Sequence, residues 1–310
     1  MTYEMASVES SPILSGSSLD PMSSPGPTEP VSTSGTLSSD GLVFMIQFSS
    51  AYAFRQLYEF FRLSVSSAAL FLTRDTIRVS TGNGRKSLQI LCAIEGWNTG
   101  GYQLNVALAS RKEAPEPYHV INFNFTDFYS VIKTIGKKDL LIMYQHTSSP
   151  HSLILMTGQR RTNLTQHVIR LIDSDPPIFD VRDPDKIPTH MPNITIPLSE
   201  FTSFITDTGK SGAPCTIFRC YSRGVHIFNE TANGGHQTSS SWGIIPEGED
   251  AFRNVTVSVT KDIVKALGKT SNFHSEGIVR FYARSDGLIR LEIPLSVYGT
   301  VVIYLLAVSG

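Results

Sequence analysis

Strand-like alternation that hands over to a short amphipathic helix recurs four times along this chain. VTVSVTKDIVKALGKTS at Val255–Ser271 sets the pattern: apolar and polar residues alternate, a threonine intervenes, and apolar residues then recur at helical spacing. The other copies are FMIQFSSAYAFRQLYEFFRL from Phe44, INFNFTDFYSVIKTIGKKD from Ile121 and ITIPLSEFTSFITDTGKSG from Ile194. In the second, Phe128, Val131, Ile132 and Ile135 form a stripe suited to packing on a sheet. Phe54, Leu57, Tyr58 and Phe61 repeat it in the first, Phe201, Phe204 and Ile205 begin it in the third, and Ile263, Val264 and Leu267 form it in the fourth. Thr126, Ser199 and Thr260 stand where a hydroxyl would cap each helix.

Between the helices lie short alternating runs. The first half reads LVFMIQF, AALFLT, DTIRVS, SLQILCAI, YHVINFNF, DLLIMYQ, SLILMT and QHVIRLI. The second reads NITIPL, CTIFRCY, GVHIFNE, TSSSWGI, NVTVSV, GIVRFYAR, LIRLEIPL and TVVIYLLA. Turns such as RDT, SRG and RSDG separate neighbours, so antiparallel meanders are expected. DSDPPIFDVRDPDKIPTHMP divides the two series, and its prolines exclude both helix and central strand. Residues 1–40, dominated by Ser, Pro, Gly and Thr, are expected to stay disordered. The expected organisation is a tail over 1–40, a domain over 41–173, a connector over 174–192 and a second domain over 193–310. The fold class is α+β: two similar domains of antiparallel sheet, each with two short helices.

Composition adds a constraint on charge. With 41% hydrophobic and 17% charged residues in 310, the chain can bury a sizeable core. A formal net charge of −1 means that any basic surface must come from arrangement. Such an arrangement exists: Arg55, Arg62, Lys133, Lys137, Lys138, Lys210, Lys261, Lys265 and Lys269 fall on or beside the four helices, against Glu59, Asp127, Glu200, Asp207 and Asp262. On a single helix, lysines merely solvate the outer face or suit the dipole at its end. Repeated on four helices that a fold brings together, they make a basic surface in a nearly neutral protein.

Other chemistry is sparse. Cys92, Cys215 and Cys220 fit neither a disulfide framework nor a zinc pattern, so buried thiols in a reducing compartment are expected. N-x-S/T sequons at Asn124, Asn163, Asn193, Asn229 and Asn254 fall mostly inside expected strands or at caps. No basic-then-apolar leader is present, and no apolar run approaches the roughly 20 residues of a membrane span, so a soluble intracellular protein is expected. TGNGRKS at Thr81–Ser87 and ANGGH at Ala232–His236 read as turns, and the histidines form no i, i+4 pair. Nucleophile elbow, zinc pair, kinase set and dinucleotide fingerprint are all missing. No enzyme activity, cofactor or metal is expected.

The segments taken in order resemble the proliferating cell nuclear antigen family, the DNA sliding clamps of eukaryotes and viruses. EGWNTGGYQL (Glu95–Leu104) is similar to the family's EGF-x-x-YR segment, and NFNFTDFYSVIKTIGKKDLLIMY to the strand that enters the second inner helix. PLSEFTSFITDTGKSG resembles the start of the second domain, and YLLAV (Tyr304–Val308) the closing YLAP. The resemblance covers about residues 42–308. Departures are the 1–40 tail, the inserted ALASRKEAPEP (Ala107–Pro117), Val308 in place of the YLAP proline, and the lack of a following acidic tail. They imply a divergent clamp, viral or a checkpoint-type paralogue.

In the family the helices line a central hole inside a continuous layer of strands, and three protomers close head to tail into a ring. The resemblance therefore implies that the nine basic residues face duplex DNA phosphates without reading sequence. It places a ring interface at two sheet edges, Gln166, Val168 and Arg170 on one protomer against Thr238, Ser240 and Trp242 on the next. It also places a client-peptide pocket between the connector's Ile178, Phe179 and Val181 and the C-terminal Leu306, Ala307 and Val308. Implied partners are a DNA polymerase, other proteins with clamp-binding motifs, a clamp loader and further copies in a homotrimer, with no membrane. The implied location is the nucleus or a cytoplasmic viral replication site. Three alternatives stay open: a checkpoint-type subunit of a heterotrimer, a herpesvirus-like monomeric or dimeric processivity factor, and a capsid-type β protein.

Overall fold

At four places the chain passes from strand to helix with almost no linker, and these junctions organise the whole fold. The computed structural model describes residues 40–64, 67–82, 88–160, 163–173, 191–230, 236–248, 254–284 and 287–306. The first half runs β1 (Leu42–Phe48), α1 (Ala51–Ser64), β2 (Ser67–Leu72), β3 (Thr76–Gly82), β4 (Leu88–Glu95), β5 (Gly101–Leu104), β6 (His119–Asn124), α2 (Phe125–Ile132), β7 (Leu140–His146), β8 (Ser152–Gly158) and β9 (Thr165–Arg170). The second runs β10 (Ile194–Pro197), α3 (Leu198–Lys210), β11 (Cys215–Cys220), β12 (Gly224–Glu230), β13 (His236–Gly243), β14 (Val255–Thr260), α4 (Lys261–Gly268), β15 (Ile278–Arg284), β16 (Leu288–Leu295) and β17 (Gly299–Leu306).

Described strand pairings are all antiparallel. They make three sheets: β5-β1-β7-β8-β9, β10-β15-β16-β17-β4-β3-β2-β6, and β13-β12-β11-β14. The eight-stranded sheet draws β2, β3, β4 and β6 from the first half and β10, β15, β16 and β17 from the second. Its seam is the β4–β17 ladder, from Leu88↔Leu305 to Ala93↔Thr300.

The helical stripes do what their spacing demands. Phe54, Leu57, Tyr58 and Phe61 are fully buried, as are Phe128, Ile132, Phe201, Ile205 and Leu267. Tyr58 is the hub of the first half, its ring 4.6 Å from Phe128, 4.8 Å from Phe54 and 5.3 Å from Phe125. Such aromatic contacts add to area burial because ring edges and faces carry opposite partial charge. In the second half Asn229, fully buried, donates to the Thr208 carbonyl, Ser211 and Thr238 and accepts from Thr216. That network ties the end of α3 to β11, β12 and β13, and it makes the Asn229 sequon a core position.

Several sequence expectations need correction. Asn124, not Thr126, caps α2, its side chain accepting from the Thr126 amide at 2.8 Å. Pro197 occupies the α3 N-cap without a side-chain bond, Ser199 lies inside the helix, and Thr260 caps α4 by position only. β5 is a strand the apolar pattern did not show, because GYQL carries two apolar residues between glycine-rich flanks. Cys92 and Cys220 are buried, with burial pushing each thiol up to about 12, but Cys215 is half-buried. The tail over 1–39, most of the connector, and most of the TGNGRKS and ANGGH turns lie outside the described residues.

Candidate nucleic-acid interface

α1 packs between α2 and α4, and α4 packs against α3, giving one helix row in the order α2–α1–α4–α3. The α1–α4 contact crosses between the halves. α3 and α4 approach most closely at Gly268, where a Cβ would lie a tight 3.1 Å from Thr206 Oγ1; at Gly209 a Cβ would only reach ordinary contact with Val264, at 3.7 Å. With the apolar faces turned into the core, the opposite faces of all four helices are exposed.

The basic residues sit on those exposed faces, but they are not equivalent. Arg62, Lys133, Lys137, Lys138, Lys210, Lys265 and Lys269 are exposed, while Arg55 and Lys261 are half-buried. Arg55 is engaged internally, donating to Glu59 at 2.8 Å and to the Ile135 carbonyl at 2.8 Å, so it ties α1 to the segment after α2. Arg62 lies over the Tyr129 ring at 4.7 Å and Lys137 near the Tyr52 ring at 5.8 Å, holding both cations along the α1–α2 groove. Lys210 pairs with Asp207 at 3.0 Å. Among the described residues, Lys133, Lys138, Lys261, Lys265 and Lys269 make no ion pair.

The basic character is also uneven. On α3, Glu200 and Asp207 face solvent with Lys210 alone, and Ser199, Ser203 and Thr206 fill the rest of that exposed face. Exposed basic residues therefore concentrate on the α2 region and on α4 with the turn after it; α1 presents Arg62, and α3 only Lys210. What the sequence could not show is a cleft of about 610 Å³ among the C-terminal ends of α1, α3 and α4. Lys210, Lys265 and Lys269 line it beside Leu63 and Ile205, residues that only the tertiary fold brings together.

The two sheet edges expected at the ring interface are edges in the structure: β9 ends the five-stranded sheet and β13 ends the four-stranded one. Gln166, Val168 and Arg170 are exposed on β9, with Val168 at 59%. Their counterparts face the other way. Thr238, Ser240 and Trp242 alternate with exposed Ser239 and Ser241, and Ser240 and Trp242 pair with the fully buried Ile227 and Val225. Trp242 turns onto α3, where it stacks edge-on against Phe204 and donates to Glu200 at 2.5 Å. Its side chain belongs to the helix–sheet contact, and only its backbone lies on the edge. Of the client-pocket residues, Leu306 is half-buried at the end of β17; Ile178, Phe179, Val181, Ala307 and Val308 lie outside the described residues.

This architecture has counterparts among solved structures. The proliferating cellular nuclear antigen of Entamoeba histolytica superposes with a TM-score of 0.63 at 14% identity, covering 86% of this chain and 98% of that one. A PCNA2–PCNA3 complex from Sulfolobus tokodaii gives 0.63 at 13% identity, covering 84% and 98%. The chain thus has the PCNA clamp fold. No protein-family model matches the sequence, and no curated protein matches it.

Proposed function

We propose that this protein is a DNA sliding clamp: a non-enzymatic ring subunit that encircles duplex DNA and tethers a polymerase and other replication or repair proteins. The observation that carries the reading is the continuous helix row whose exposed faces hold lysines without acidic partners, in a fold shared with clamps. A cationic surface of this kind attracts phosphates of any sequence, and topological closure lets weak contacts suffice. We place DNA contact at Arg62, Lys133, Lys137, Lys138, Lys261, Lys265 and Lys269, with Arg55 and Lys210 contributing less because each is already paired. Ring closure would join the β9 edge of one copy to the β13 edge of the next, and client motifs would dock beside the connector and β17.

The test is retention on circular DNA. Protein loaded on nicked circles should stay bound and fall off when the circle is cut, with an affinity that drops steeply with salt and ignores base sequence. Lys133→Glu, Lys261→Glu and Lys265→Glu together should abolish retention and polymerase stimulation without changing assembly mass. Equal release from circular and linear DNA would overturn the encircling reading. Solution mass separates a homotrimer from a subunit that closes only with other chains.

A further inference from the structure

His119, at the start of β6, is buried, and both of its ring nitrogens are committed. The Ser110 backbone N–H donates to Nδ1 at 3.1 Å, so the ring proton resides on Nε2, which donates to Gln145 Oε1 at 2.6 Å. Gln145 in turn donates through Nε2 to the Pro150 carbonyl at 2.5 Å. One neutral imidazole thus links three elements: the segment between β5 and β6, β7, and the β7–β8 turn. That segment carries the ALASRKEAPEP insertion.

β6 is the terminal strand of the eight-stranded sheet, so its outer edge would otherwise be open to pairing. The inserted segment covers it. Val120 N–H donates to Ser110 Oγ at 2.9 Å, and the segment is closed on itself by a bridge between Arg111 and Tyr118, just before β6. Farther along, Ile172 N–H reaches the Asn122 carbonyl and Leu171 bridges Phe123. Between these covers lies a cavity of about 260 Å³, walled by Arg111, His119, Gln145, His151 and Asp173.

We propose that residues 105–118 are a strap latched over the β6 edge by neutral His119, and that protonation of His119 releases it. Protonated imidazole donates from both nitrogens, so Nδ1–H would oppose the Ser110 N–H directly. The latch would break at its single point of acceptance, uncovering the Val120 amide and opening the cavity wall. Burial lowers the His119 pKa, with the Gln145 hydrogen bond as a smaller opposing influence. The released state titrates near the ordinary value of about 6.5 and so binds the proton more readily. The latch is therefore at full strength above that value and weakens by about tenfold per pH unit below it, until the pH reaches the latched pKa. The charged groups that share the site are Arg111 on the strap and the His151–Asp173 pair, 2.9 Å apart, with exposed Lys112, Glu113 and Glu116 farther along the strap. β1 contributes the Phe44 ring, 5.8 Å away, and β2 pairs Leu72 with His119.

Hydrogen exchange on the full chain tests this without reference to DNA. After division by intrinsic rates, protection of the Ser110 and Val120 amides should fall between pH 7.5 and 5.5, by no more than about tenfold, while β16 and β17 stay unchanged. His119→Gln should flatten the response, and His151→Asn should keep it. Unchanged wild-type protection, or an acid response that survives in His119→Gln, would overturn the latch. If His119→Gln does not fold, nitrogen chemical shifts of the wild-type ring decide. An Nε2–H tautomer with a midpoint below the free value supports the proposal, and an Nδ1–H tautomer or a midpoint at or above it refutes it.

Discussion

Single side chains decide where each helix begins, and here the sequence misleads by two residues. Thr126 follows the alternation of β6 and is the kind of residue that caps helices, yet Asn124 does the capping. The reason is the absence of a linker: the last residue of the strand still has extended backbone, so it alone meets the geometry of an N-cap. Asn124→Ala should therefore cost about 1 kcal/mol in urea unfolding, and Thr126→Ala only a few tenths. Equal effects would return the cap to Thr126. Arg55 teaches the same lesson in charge: its pairing with Glu59 is an i,i+4 contact within α1, but its hydrogen bond to the Ile135 carbonyl exists only once α1 and the segment after α2 meet. Buried apolar stripes, by contrast, were legible because periodicity alone assigns a face.

Elements were legible in number and order but not in facing. The eight runs read in the second half are all strands, and in the first half only the short β5 escaped, lacking alternation of its own. Both expected edge strands lie at sheet edges, since position in a meander predicts which strand comes last. Which side chains an edge offers depends on register, and that placed Thr238, Ser240 and Trp242 on the helix side, away from the side that carries Val168. Val168 is then the apolar residue that β9 leaves in water, at 59% exposure. An exposed apolar residue on an unpaired edge favours association. Val168→Lys should weaken self-association at least tenfold by analytical ultracentrifugation, while unfolding free energy shifts by no more than about 0.5 kcal/mol, as expected for a surface position. Self-association that is indifferent to the substitution would move the contact between copies away from β9.

At the scale of the whole molecule, the proline-rich connector suggests two halves that could fold separately, and the sheet topology argues otherwise. Half of the eight-stranded sheet comes from each side of the connector, and the inward face of the seam between β4 and β17 is buried: Leu88, Ile90 and Cys92 on one strand, Val301, Ile303 and Leu305 on the other, each at or below 1% exposure. The α1–α4 contact crosses the same boundary, reinforced by Phe60 against Phe273 at 5.6 Å. Neither half can keep its core dry alone, because separating them exposes the seam strands along their whole length. We expect one cooperative unfolding transition. Each half carries a single tryptophan, Trp97 in the first and Trp242 in the second, so the two can be followed separately. In Trp242→Phe the remaining Trp97 fluorescence, and in Trp97→Phe the remaining Trp242 fluorescence, should each track far-UV circular dichroism with the same urea midpoint. Comparison within each variant removes the stability lost with the Trp242–Glu200 bond. A tryptophan midpoint that departs from the dichroism midpoint in either variant would mean that the halves part before they unfold. The sequence could not disclose this coupling, because β4 and β17 lie some two hundred residues apart and nothing local in either strand names the other.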